Sequence, residues 1–238
     1  MTLKAGVNGA IYLAQYDLSG AANKFTVTPS RALIDGTCFG AGGRTYHPGL
    51  HDDSFSMDCF YDFPADIGTE LHALRTATTV HICSLCLGTA QEEKAVAGEG
   101  AFLLDMPIDT PVDGLIRVSA SFKFQGLMRT GYVLQASAEQ TENGSGDIVD
   151  DSAASSAGAE AYLHVFACDV PDLVIKVQTD TLVGFASPTD LITFTTVTGA
   201  TSERKVVTSD VEEFVRVNWS GTWTGSKKAT FAVIWARL

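Results

Sequence analysis

Alternation of apolar and polar residues with period two is the dominant signal along this chain. It is clearest in Leu115–Phe124, where Ile116, Val118, Ala120, Phe122 and Phe124 share one face and Arg117, Ser119, Ser121 and Lys123 the other. The same alternation recurs at Leu173–Thr179, Phe214–Trp219 and Thr230–Trp235. Successive side chains of a strand point to opposite faces, so each segment predicts a half-buried strand. Glycine-containing clusters predict turns at Ile34-Asp35-Gly36, His47-Pro48-Gly49, Val112-Asp113-Gly114 and Trp223-Thr224-Gly225. Only Ala65–Thr76 has a helical period, with Ile67, Leu71 and Leu74 on one side, Asp66 placed to cap it and Pro64 just before. Gly68 costs this helix about 1 kcal/mol, so it needs a sheet to pack against. The pattern predicts a mainly β chain, a sandwich or barrel with one helix closing a side.

One stretch breaks the pattern. Residues 135–160 read QASAEQTENGSGDIVDDSAASSAGAE, without an aromatic residue, lysine or arginine. The acids Glu139, Glu142, Asp147, Asp150, Asp151 and Glu160 fall here, half of the net charge of −12. A segment this polar has little apolar surface to offset its ordering entropy. It reads as a linker between a β domain at 1–134 and a smaller β-sandwich module at 161–238, with the second module expected to be dispensable for the first.

Composition narrows the function. With 238 residues, 45% of them hydrophobic, the chain has material for a substantial core. Charged residues are only 18%, which fits a surface largely covered by partners or an unusually β-rich chain. The excess of 28 acidic over 16 basic residues opposes tight binding to nucleic-acid phosphates and to anionic membranes. No apolar run approaches the ~18 residues of a membrane span, and the N-terminal stretch does not read as a signal peptide. The five cysteines, an odd number, read as reduced thiols, which leaves the sequons at Asn143 and Asn218 without meaning.

Candidate chemistry is sparse. No Walker loop, nucleophile elbow, zinc-protease helix or calcium loop occurs. Gly40-Ala41-Gly42-Gly43 is followed by no helical pattern and reads as a loop rather than a phosphate cradle. Cys83-x-x-Cys86 has zinc-knuckle spacing, and His47, His51, Cys38 and Cys59 are the distant residues that could complete a site. On a strand, however, Cys83 and Cys86 point to opposite faces, and buried cysteines serve as small hydrophobes. Asp52, Asp53, Asp58 and Asp62 interleave with Phe55, Met57, Cys59, Tyr61 and Phe63, so they read as the wet face of a strand rather than an acid–base pair. Trp219, Trp223 and Trp235 are either core and interface anchors or a sugar-stacking platform. The expectation is a protein with no catalytic residues, no metal and no cofactor.

Two segments together carry a resemblance. Thr37–Tyr61, TCFGAGGRTYHPGLHDDSFSMDCFY, resembles a signature of the tail tube (major tail) proteins of long-tailed bacteriophages, through Thr37, Gly43, Arg44, Pro48, Gly49, Leu50, Asp52, Ser54, Ser56 and Phe60. Gly100–Leu127 resembles the same proteins' succession of strand, turn and closing strand, and Asp17-Leu18-Ser19-Gly20 resembles their opening strand end. Cys38, Cys59, Cys83 and Cys86 are not among the residues that carry the resemblance, which covers about 1–134. It implies a small β-sandwich flanked by a helix, six copies joining their sheets into a ring, and rings stacking into the tube that conducts DNA. It makes Arg44, Pro48, Gly49, Leu50 and Asp52 the assembly candidates. The implied partners are further copies of the chain, other tail proteins such as the tape measure and terminator, and genomic DNA that passes without being held. The implied location is the virion, after synthesis in the host cytoplasm. A negative lumen would let the duplex slide, with Arg44 and Lys123 paired to acids of adjacent subunits.

Residues 161–238 weakly resemble sandwich modules appended to phage structural proteins. That leaves two roles open for Trp219 and Trp223: contact with a host glycan, or an interface. Two other readings stand beside the tail tube. One is a capsid decoration or other β-type virion protein; the other is a carbohydrate-binding module.

Overall fold

The computed structural model describes residues 9–38, 42–61, 67–76, 80–151 and 154–238. The described residues are mainly β with one helix, as the sequence pattern predicts. It divides into two compact units. The first comprises Met1–Ser19, Ile82–Ala97 and Arg129–Leu238, and the second Gly20–His81 and Gly98–Met128.

The first unit holds two sheets. In the larger, β14 (Ala159–Cys168) lies between β17 (Thr201–Val207) and β19 (Ala229–Arg237). From β19 the sheet continues through β11 (Arg129–Gln140) and the first residues of β8 (Lys94–Asp105). Beyond these come β7 (His81–Cys86), β1 (Ala10–Leu13) and β2 (Tyr16–Asp17). The smaller sheet has β18 (Phe214–Ser220) beside β15 (Val174–Asp180), with β16 (Thr189–Thr193) outside β15. The short strands β12 (Gly144–Ser145) and β13 (Val149–Asp150) pair with the other side of β18.

Alternation on β14 and β19 serves two cores. Ala161, Leu163, Val165, Phe231, Val233 and Trp235 pack against Ile175, Val177, Val215, Val217 and Trp219 of the smaller sheet, which makes a sandwich. Gly131 on β11 allows the close approach of β19: a Cβ there would overlap the Trp235 carbonyl. Tyr162, Ala232 and Ile234 face the other way and join Tyr12, Ile82, Cys86 and Val133 in a second core. The large sheet therefore curls until β14 meets β7, separated from it by three strands in the hydrogen-bonded order, and Ala14 just after β1, the strand beyond β7.

Polar groups on that second face of β14 are fixed by partners. His164 is fully buried, with Nδ1 2.7 Å from the Ala14 carbonyl and Nε2 2.8 Å from Ser84 Oγ. A carbonyl only accepts, so Nδ1 carries the proton and Nε2 accepts from the serine. Burial lowers the imidazole pKa to about 4, against which the Ala14 hydrogen bond acts. Glu160 accepts from Arg129 Nε at 3.0 Å, Arg204 Nε at 2.9 Å and the Tyr162 hydroxyl at 2.6 Å. Burial pushes its carboxyl up, but the hydrogen bonds of Arg204 and Tyr162 and the charges of Arg204 and Arg129 outweigh this and hold it below its ordinary value.

The second unit is built on a smaller sheet. Its order is β3 (Ala22–Thr28), β6 (Ser54–Phe60) and β10 (Arg117–Lys123), followed by the end of β8 and by β9 (Ile108–Asp109). Phe55, Met57, Cys59, Val118, Ala120 and Phe122 form its buried face, with the Phe55 and Phe122 rings stacked 4.3 Å apart. The helix α1 (Ile67–Thr76) buries Leu71 and Leu74. The capping roles given to Pro64 and Asp66 fall outside the described residues. A two-stranded hairpin, β4 (Arg31–Asp35) and β5 (Tyr46–His51), completes the unit.

Three expectations change. Residues 135–160 are not an open linker, because they hold the end of β11, β12, β13 and the start of β14. Val149 and Ala159 are buried, and three of the six acids pair with cations: Glu160 as above, Asp151 with Arg237, and Glu139 with Lys228. Correspondingly, the compact units do not follow the division into 1–134 and 161–238, since β11 pairs with β19 along its length. The third change concerns turns: Pro48-Gly49 and Ile34-Asp35 are strand residues. Pro48 sits opposite Leu33 beside a register shift, a place where a strand tolerates a residue without N–H.

Candidate assembly surface

The hairpin β4–β5 carries three of the five assembly candidates, Pro48, Gly49 and Leu50, and the other two, Arg44 and Asp52, flank β5. Its register pairs Arg31 with His51, Leu33 with Pro48, Ile34 with His47 and Asp35 with Tyr46. Every residue of β4 is exposed. At its far end the Asp35 carboxylate accepts from the Thr37 hydroxyl at 2.5 Å and the Thr37 N–H at 3.0 Å, and Thr37 Oγ1 accepts from the Thr45 N–H at 3.0 Å. The hydrogen bonds from Thr37 hold the Asp35 pKa below its ordinary value. Gly49 permits the close pairing, as a Cβ there would stand 3.0 Å from the Ala32 carbonyl oxygen, and the Gly49 carbonyl accepts from Arg31 Nε at 2.8 Å.

Leu50 is 85% exposed, and Leu33, Ile34 and Tyr46 are exposed with it. Arg44 is exposed and reaches the Tyr46 hydroxyl at 3.3 Å. Asp52 pairs with Lys123 of the same chain at 2.6 Å. That corrects the expectation that Lys123 is spent on an acid of another subunit, because the register of β6 against β10 sets Lys123 opposite Ser54, two residues from Asp52.

Asp53 also departs from expectation. It is buried rather than on the wet face, and its carboxylate accepts from the Ser30 N–H at 2.9 Å and the Met128 N–H at 3.0 Å. It fixes the chain entering the hairpin to the chain leaving β10. Asp58 does face outward and accepts from Ser119 Oγ at 2.7 Å; Asp62 lies outside the described residues, as do Gly40 and Ala41 of the glycine-rich loop.

A second exposed apolar segment was not recognised in the sequence. Between Phe102 and Ile116, Leu104, Ile108, Leu115 and the completely exposed Val112 face solvent. Alternation gave no warning, since these residues sit mostly in loops and at strand ends. The available signal was an apolar loop with no glycine-only or polar run to excuse it.

The tryptophans resolve differently from a sugar platform. Trp219 is 6% exposed, edge-on to Phe231, with Nε1 donating to the Glu142 carbonyl at 2.9 Å. Trp235 is fully buried and donates to Asp151 at 2.7 Å. Neither offers a face to a ligand. Trp223 is half-buried against the sandwich core, its Nε1 donating to Asn143 Oδ1 at 2.6 Å. Cys83 and Cys86 are both buried in β7, and burial pushes the Cys86 thiol up to about 12. Among the described residues, no three His, Cys, Asp or Glu side chains lie close enough to share a metal ion. The Ser84–His164 pair has the contact of a nucleophile and base, yet both are solvent-inaccessible, so it acts as a crosslink within the curled sheet.

No protein-family model matches the chain, and no curated protein matches it. Among solved structures, the virion of a native gene transfer agent particle overlaps at 13% identity and TM-score 0.41, over 54% of this chain and 98% of that one. The C6-symmetric tail of an empty gene transfer agent particle gives 13%, 0.42, 53% and 97%. The Dit protein of phage SPP1, described as a paradigm of the hub adsorption apparatus in phages infecting Gram-positive bacteria, gives 11%, 0.38, 95% and 98%. With every TM-score below 0.5, none of these likenesses establishes a shared fold or function.

Proposed function

We propose that the chain is a structural subunit of a phage tail, built to self-associate into stacked, ring-forming tubes that conduct DNA. The observation that carries this reading is the surface of the second unit. Among the described residues it holds all the exposed large apolar side chains except Leu87, Leu182, Val183 and Val206. Apolar surface this concentrated marks an interface. Nine of these twelve side chains, all but Leu33, Ile34 and Val80, lie in the two segments, Thr37–Tyr61 and Gly100–Leu127, that carry the tail-tube resemblance. The sheet of this unit supports ring closure: β3 is paired on one side only among the described residues, and an open edge is a template for another chain.

The solvent face of that sheet suits a lumen. In adjacent rows it presents Thr26, Thr28, Ser54, Ser56, Ser119 and Ser121. Lys123 is neutralised by Asp52, Lys24 stands opposite Asp58, and Arg117 stands opposite Asp109. Short hydroxyls with balanced charge give a duplex no array of cations to release its counterions against. The second unit would then supply the tube wall and the first its support. Negative-stain microscopy of concentrated protein tests the proposal: rings or tubes support it, and trimers or monomers at every concentration refute it.

A further inference from the structure

We propose that the β4–β5 hairpin of one copy docks on the Phe102–Ile116 segment of a second copy, head to tail. This rests on the reading of the chain as a self-associating subunit and names the two surfaces involved. Both are apolar and exposed in the free chain: Leu33, Ile34, Tyr46 and Leu50 on the hairpin, and Leu104, Ile108, Val112 and Leu115 on the segment. A lone two-stranded hairpin is marginal in water, so one with exposed apolar residues on it gains most from a cover.

Charge selects the occupant. From Phe102 to Ile116 the acids are Asp105, Asp109 and Asp113, with no lysine or arginine. From Ser30 to His51 the basic residues are Arg31 and Arg44, with Asp35 the single acid and its carboxylate engaged by Thr37. Hairpin against hairpin brings arginines together, and segment against segment brings six aspartates together. Hairpin against segment brings opposite charges together, which orients the contact. Two different patches make a heterologous interface, and such a contact repeats until it closes a ring or extends a filament.

The test uses the full chain in two double variants. One carries Ile34→Asp and Leu50→Asp, the other Val112→Asp and Leu115→Asp; circular dichroism melting checks that both fold. In sedimentation velocity, wild type should associate with rising concentration and less readily with added salt. Each variant alone should need about tenfold or more protein to associate. An equimolar mixture should form a dimer and stop there, because one intact hairpin meets one intact segment. Wild-type association with either variant unaffected, or with a mixture that stays monomeric, overturns the docking while leaving self-association standing. Wild type that stays monomeric throughout overturns both.

Discussion

The two units spend their apolar residues in opposite ways. In the first, a sandwich and a curled sheet bury Trp235, Tyr162, Phe231 and Leu134 completely, and buried charge is met by partners, as at Glu160. In the second, one modest core around Phe55 and Phe122 supports a hairpin and a loop segment whose leucines, isoleucine and valine face water. Full burial of such a side chain stabilises by about 1.5–3 kcal/mol. The first unit realises that gain within the chain; the second leaves it to be realised on association. Stability is concentrated in one region and recognition in the other, and mutations in the two should separate accordingly.

The harshest way to break this contrast is to remove residues 161–238. The sequence pattern made that module dispensable, but its β14 and β19 form the centre of both cores in the first unit. Truncated protein should lose its cooperative melting transition and its β circular dichroism signal from that unit. Trp235→Ala comes next, with an expected loss of about 3–5 kcal/mol in urea unfolding, since the ring is fully buried and its Nε1 holds Asp151.

Acid should act mainly on the first unit. His164 is held neutral with a pKa of about 4, against 6.5 in an unfolded chain. The unfolded state therefore binds the proton first as pH falls, and the contribution of His164 is lost between about pH 6.5 and 4. The loss is about 3 kcal/mol if this group acts alone. Unfolding curves at intervals from pH 7.5 to 4 check it, and His164→Gln should flatten that slope.

Smaller effects sharpen the other side. Asp53→Ala leaves the N–H groups of Ser30 and Met128 unpaired in the second unit and should cost about 1–3 kcal/mol. Amide exchange should then quicken at Phe55 and Phe122 while Val233 stays protected. Val112→Asp should change stability by less than about 0.5 kcal/mol, because its side chain touches nothing it could lose, yet it should weaken association.

What the sequence made legible follows from which forces are local. Strands with clean alternation, such as β10 and β18, were readable because one face is buried and the other wet. Residues 135–160 were misread because their order comes from partners far along the chain: Trp219 reaches Glu142, Trp235 and Arg237 reach Asp151, and Arg204 reaches Glu160. The acids of 52–58 looked alike in sequence, yet Asp53 is buried by a turn that alternation does not describe. Residues of the hairpin were singled out through a motif, with turns expected where its strands lie, and not through its exposed apolar side chains, since exposure is a property of the fold. Trp219 and Trp235 could be read as core or as platform, and only packing decides between them.

The contrast between the units is tested most directly by hydrogen exchange measured at low and at high protein concentration. Amides of Arg31–Asp35, Tyr46–His51 and the 102–116 segment should exchange quickly in dilute protein and become protected as particles form. Those of β14 and β19 should be protected in both. Particles that form with the hairpin and the segment still exchanging at the dilute rate, or with protection gained on the first unit instead, would contradict it.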